Sequence, residues 1–350
     1  MLRPDSSRLP SERKGPGESA RFCVYMLMML VLSVASAVAQ NAPQIIGGWS
    51  PNRLIVASGF VYWTQSSNAS CSRAYGIFAS NSTGGRIQQL NLGPLLITCG
   101  DQGPSSMCKD GPGGRLFFLD PRVNKLRALD VGRATVADIA LTGALSDSSS
   151  LAQDDGSVYW TDGIGIRKIA KTGGLITTIH ALSLHEGTID SDIVADSGFV
   201  YFQVGCEIRK VRASGFGEQT IYAGVPGSCP QNPAVDSDQL YFTEWSSNGR
   251  FVIKYVSLNG GDARIAYASG WTVRSPVNLI IRKGVAYWIE PDRYSGTIRS
   301  LVFKDGLTLG VRTLATVRNP RSLQVDDTSV YWADDDSAKR VNISTTRPER

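Results

Sequence analysis

Histidine is nearly absent from this chain: His180 and His185 are its only two in 350 residues. A spacing of five suits neither an HxH pair on one strand face nor an HExxH pair on one helix face, which excludes two common ways of holding a metal with imidazoles. No cysteine pair shows CxxC spacing, so the ordinary structural zinc sites are not expected. There is no GxSxG elbow, no glycine-rich phosphate loop after a strand and no Cys/His couple; Gly163-Ile164-Gly165 reads as a tight turn. Beyond the N-terminal segment no stretch carries a long helical period. The residues imply no cofactor. Calcium is compatible with acidic side chains, but nothing in the pattern points to it.

Charge of one sign is scarce as well. The formal net charge is +5, and two of these charges belong to residues 1–39, where Arg3, Arg8, Arg13, Lys14 and Arg21 face Asp5, Glu12 and Glu18. The rest is close to neutral, without the clustered basic face that nucleic acid requires. Residues 1–39 read as a secretory signal peptide. A basic region ends at Arg21, an apolar run follows from Val24 to Val34, and Ala37-Val38-Ala39 supplies the small residues before a cleavage point at Gln40. This predicts a secreted or periplasmic protein with no membrane span after cleavage. The alternative is anchoring by the same segment left uncleaved, though it is short of the roughly 20 apolar residues of a full span.

What the chain has in abundance is one repeated unit. An aliphatic residue followed by two aromatics recurs as Val61-Tyr62-Trp63, Leu116-Phe117-Phe118, Val158-Tyr159-Trp160, Val200-Tyr201-Phe202, Leu240-Tyr241-Phe242, Ala286-Tyr287-Trp288 and Val330-Tyr331-Trp332. The spacings are 55, 42, 42, 40, 46 and 44. The longest contains an insertion read as Gly100 to Gly113. Each unit reads as four short strands: an apolar run closed by Asp/Gly/Ser turn residues, the aromatic strand, a strand with an aliphatic–basic pair such as Ile166-Arg167, and a last strand after a glycine-rich turn. Four strands per unit predict an all-β fold, a single β-propeller of seven four-stranded blades over residues 40–350, with six or eight blades as alternatives. The last unit stops after its third strand, near Asn342. Gln44-Ile45-Ile46 is expected to supply the missing outer strand and close the ring.

The unit resembles the YWTD-type propeller repeat of lipoprotein-receptor ectodomains and secreted bacterial propellers; Tyr159-Trp160-Thr161-Asp162 spells it in full. The resemblance implies a secreted propeller and a ligand-binding role. It departs from the receptor family in blade number and in lacking attached cysteine-rich modules.

Two positions after the second aromatic stand Gln65, Asp120, Asp162, Val204, Glu244, Glu290 and Asp334. A ring of ligand carboxylates is one reading. The favoured one pairs them with basic residues on the neighbouring strand, because a side chain repeated in every blade usually belongs to the repeat itself.

Departures from the repeat locate candidate recognition. The turns between second and third strands share a face with the links between blades, and scaffolds keep recognition on loops. Trp245 and Arg250 in blade five, Trp271 and Arg274 in the following link, and Arg293 and Tyr294 in blade six fall in one sector of that face. These residue types dominate binding energy at interfaces. The same geometry predicts a Cys206–Cys229 disulfide, and Cys99–Cys108 pinning the insertion on the opposite face, with Cys71 left over. The favoured reading is a binding scaffold for a protein, peptide or glycan. The alternative is a hydrolase or lyase with a metal at the central channel.

Overall fold

The computed structural model describes residues 43–343, apart from 49–50, 52, 66–75, 91–106, 110–113, 134, 147–148, 184–188, 190–191, 247, 271–275, 293–294 and 305–306. The described residues form seven four-stranded antiparallel sheets. Their aromatic second strands are Phe60–Gln65, Arg115–Asp120, Ser157–Asp162, Phe199–Val204, Gln239–Trp245, Val285–Pro291 and Ser329–Ala333. The inner strands are Leu54–Ala57, Met107–Lys109, Leu151–Gln153, Val194–Asp196, Gln231–Asp236, Val277–Arg282 and Ser322–Val325. Each inner strand lies beside that of the next blade, and the last returns to the first. The molecule is a closed seven-bladed β-propeller.

The aromatic doublet explains the closure. Adjacent residues on a strand point to opposite faces of the sheet, so one ring of each pair faces the following blade and the other the preceding one. Seven apolar clusters result, one at each blade–blade interface. The first aromatic of one blade meets the second aromatic of the next: Tyr62 with Phe118, Phe117 with Trp160, Tyr159 with Phe202, Tyr201 with Phe242, Tyr241 with Trp288, Tyr287 with Trp332, and Tyr331 with Trp63. The last pair closes the ring.

Closure combines strands from both ends of the chain in one blade, as expected from the truncated last unit. The N-terminal strand Gln44–Gly48 pairs antiparallel with Ser337–Asn342, the third strand of blade seven, with Gln44 opposite Arg340. Gln44 Oε1 accepts from Arg340 Nε at 2.9 Å. Gly47 lies against the Trp63 indole so closely that a Cβ there would sit 2.5 Å from the ring. Only glycine lets the closing strand bridge blade seven to blade one.

One expectation needs correction. The segment read as an insertion, Gly100 to Gly113, contains the inner strand of blade two, Met107–Lys109, with Cys108 opposite Phe117. In chain order most of the extra length therefore precedes that strand, in residues 91–106, which lie outside the described residues. Three residues are too short a run to show alternation in the sequence. His180 stands inside the outer strand of blade three, Thr177–Ala181.

Candidate functional site

An antiparallel blade puts its second turn and the link to the next blade at the same end. On this link-bearing face the acidic column ends each second strand, and it is spent within the repeat. Asp120 meets Arg127 at 3.2 Å, Asp162 meets Arg167 at 3.1 Å, Glu244 meets Lys254 at 3.0 Å and Glu290 meets Arg299 at 2.6 Å. Asp334 meets Lys339 in the same way. In each case the base stands on the adjacent third strand.

Blade three shows how the YWTD letters work. The Tyr159 hydroxyl donates to Asp154 Oδ2 at 2.5 Å, across the first turn. Burial opposes ionisation of Asp154, but this bond and the Gly156 and Ser157 amides outweigh it and hold the carboxyl below its usual range. Burial, then the Asp154 bond, push the Tyr159 hydroxyl well up. Trp160 fills the interface. Thr161 Oγ1 accepts from the Ser150 amide at 2.8 Å and so fixes the start of the inner strand. Asp162 Oδ1 accepts from the Ile164 and Gly165 amides, and Oδ2 from Arg167 Nε. Each letter has a structural task.

Blades one and four lack the acid, and each adjusts differently. In blade one Gln65 replaces the acid, and Phe78, opposite Trp63, stands where the base would be. In blade four Val204 replaces it but Arg209 remains, bonded to Glu207 at 2.7 Å and Glu218 at 2.9 Å. Glu218 also takes His180 Nδ1 at 2.9 Å, from blade three. The His180 position is itself a column. In the next two blades it holds Tyr222 and Tyr267, whose hydroxyls donate to the acids Glu244 at 2.5 Å and Glu290 at 3.3 Å of the following blade. Their rings lie on Phe242 and Trp288 as that of His180 lies on Phe202. Where Val204 stands in place of that acid, the position holds His180, which turns to Glu218 instead. The buried imidazole thus occupies a position that carries tyrosine in two other blades; His185 lies outside the described residues.

The predicted recognition sector is partly visible. Trp245 ends the second strand of blade five opposite Phe251. It is half-buried and packs on the apolar cluster between blades five and six. Arg250 ends the turn after it, closed by the Ser246 amide donating to the Arg250 carbonyl at 2.7 Å. Trp271, Arg274, Arg293 and Tyr294 lie outside the described residues. Next to this sector Cys206, in the second turn of blade four, is bonded to Cys229 in the link leaving that blade, with Cα atoms 4.4 Å apart. Ser228, beside Cys229, donates to Glu244 at 3.1 Å. The link is thereby tied to both blades. Of the second predicted pair, Cys99 lies outside the described residues, as does Cys71.

Sequence reasoning passed over the channel mouth. Ser150 Oγ accepts from the Ile193 amide of the next blade at 3.0 Å, and Ser322 Oγ from the Leu54 amide at 3.1 Å. Asn232 Nδ2 donates to the Pro276 carbonyl at 3.1 Å. These bonds stitch neighbouring inner strands together. The only local signal was small polar residues at inner-strand starts. Among the described residues, no three His, Cys, Asp or Glu side chains converge to hold a metal, and no helix is long and apolar enough to cross a membrane.

No family model and no curated protein matches the chain. Among solved structures it is similar to virginiamycin B lyase from Staphylococcus aureus, a catalytically inactive histidine-to-alanine variant with quinupristin, at 17% identity over 86% of this chain and 99% of that one, TM-score 0.61. It is similar to the WD40 repeats of RRP9, at 10% identity over 86% and 97%, TM-score 0.63. It is also similar to a prolyl endopeptidase, at 12% identity over 90% of this chain and 53% of that one, TM-score 0.58. At these identities the likeness is one of fold: the chain is a seven-bladed β-propeller, a fold that serves both binding proteins and enzymes.

Proposed function

We propose that this protein is an extracytoplasmic binding scaffold that recognises a protein, peptide or glycan through the link-bearing face of blades five and six. The observation that carries this reading is the base of Trp245. A large aromatic, half-buried against the interface between two blades, is fixed beside a link held by the Cys206–Cys229 disulfide and by Glu244. A ring presented from a rigid base loses little conformational entropy on binding, and such anchors dominate interface energies. The disulfide supports an oxidising compartment, in line with the signal-like residues 1–39. The YWTD resemblance supports a ligand-binding role. The metal-dependent alternative gains no support from the acidic column, whose carboxylates are engaged by Arg and Lys of their own blades.

The test is to pan the mature protein against a peptide library and a glycan array, then repeat with Trp245→Ala and Trp271→Ala. Phe216→Ala serves as control, since Phe216 is 75% exposed in a turn on the opposite face. Ligands lost in the tryptophan variants and kept in the control support the reading. Ligands indifferent to both tryptophans, or lost only with Phe216, overturn it.

A further inference from the structure

Arg53 immediately precedes the inner strand of blade one, and Asp192 stands two residues before that of blade four. In a ring of seven these blades are as far apart as they can be. Yet Arg53 Nη1 lies 3.9 Å from Asp192 Oδ1, so the pair crosses the channel axis at the link-bearing mouth. The contact is too long for a hydrogen bond. The two side chains keep 32% and 47% of their exposure, open to solvent at the mouth.

The surrounding polar groups are committed. Ser322, Ser150 and Asn232 hold neighbouring strands together. The backbone of Arg53 is fixed on both sides by Thr64: its amide donates to Thr64 Oγ1 at 3.1 Å, and its carbonyl accepts from the Thr64 amide at 2.9 Å. Its guanidinium, by contrast, makes no hydrogen bond with any described residue. Five fixed-fork donors face the channel axis from a rigid base, opposed by one carboxylate that stops short of them. Asp192 is in turn approached by Ser150 Oγ at 3.4 Å.

We propose that the channel mouth is a receptor for a carboxylate, with Arg53 as its bidentate anchor and Asp192 as a resident competitor. A carboxylate free to align both oxygens reaches the 2.7–2.9 Å of a charge-assisted fork, which is roughly twice as strong as a neutral hydrogen bond. Asp192, tethered on the far side of the channel, does not reach it. The group already facing Arg53 has the chemistry of the ligand. This site goes beyond the blade five and six reading and uses none of its residues.

The experiment is calorimetric titration of the mature protein with N-acetylglycine, its neutral amide N-acetylglycinamide, and inorganic phosphate. N-acetylglycine is expected to bind and the amide not to bind. Arg53→Gln abolishes binding. Asp192→Asn tightens it about two- to fivefold, the fold-change equivalent of one exposed ion pair. A gain of affinity cannot arise from a misfolded variant, so the Asp192 arm stands even if Arg53→Gln lowers stability. Trp245→Ala leaves N-acetylglycine binding unchanged, which separates this site from the recognition sector. Equal binding of acid and amide, retention in Arg53→Gln, no binding to Asp192→Asn, or phosphate binding tighter than carboxylate would each overturn the proposal.

Discussion

Blades three and four stand side by side and meet the same structural demand by different means. Blade three carries the full repeat: Asp162 satisfies two turn amides and one guanidinium. Blade four keeps the guanidinium of Arg209 but replaces the acid with Val204. Its balance comes from Glu207 and Glu218, and its turn is fixed by a disulfide. What the fold requires is neutralisation of the third-strand base and a fixed second turn; the residue that supplies them is free to change. A repeated acid in a propeller is therefore poor evidence of a ligand site until its partners are counted.

The largest expected effect is in blade three. Asp162 has no exposed side-chain surface, whereas Arg167 keeps 22%. Asp162→Ala removes one partner of a largely buried pair and should cost about 3–5 kcal/mol, read from the urea midpoint. Val204→Ala, at the equivalent position of blade four, removes only methyl groups and should cost far less. Equal losses would break the contrast.

The disulfide comes next. Replacing Cys206 and Cys229 together by serine opens a loop of 23 residues and should lower stability by about 3 kcal/mol in the chain-entropy view. The Glu218→Gln change should cost under about 1 kcal/mol, because Glu218 keeps 34% of its exposure and exposed pairs contribute little. A larger loss would mean that His180 depends on Glu218 more than Arg209 does.

Acid tests the first turn of blade three. Asp154 has a folded-state pKa below its unfolded value. Its contribution is therefore present above the ordinary carboxylate pKa of roughly 4 and is lost as pH falls through the lower folded value. Asp154→Asn should flatten this acid limb of the melting profile. Tyr159 shifts the other way, so its contribution holds below about pH 10 and is lost above it. Tyr159→Phe should remove that alkaline loss. An acid limb unchanged in Asp154→Asn would show that other carboxylates govern it.

Most of the fold was legible in the sequence because the aromatic doublet has one meaning in every blade: one ring for each neighbour. The closing strand was legible because the seventh unit ended one strand short. Met107–Lys109 was hidden, since three residues show no periodicity. His180 was hidden as a repeat residue because its column is aligned only by the pairing of third and outer strands. Arg53 and Asp192 were hidden for a deeper reason. They lie 139 positions apart in the chain, and no local pattern encodes a meeting across a ring. Of the recognition sector, sequence named the residue types, and packing added the fixed base of Trp245.

A last expected effect bears on why the second aromatic is Trp in blade three and Phe202 in blade four. The indole nitrogens of Trp63, Trp160, Trp288 and Trp332 are buried and hydrogen-bonded to nothing among the described residues. A buried donor left unmade costs about 1–3 kcal/mol, which offsets part of what the larger ring contributes by area. Trp160→Phe should therefore change stability by less than about 1.5 kcal/mol, the range of tolerated hydrophobic swaps. Trp160→Ala should cost about 3–5 kcal/mol. If phenylalanine is as costly as alanine, the indole is filling space that no smaller ring can fill. The interface between blades two and three would then be packed to a tighter tolerance than its neighbour, where Phe202 suffices beside His180.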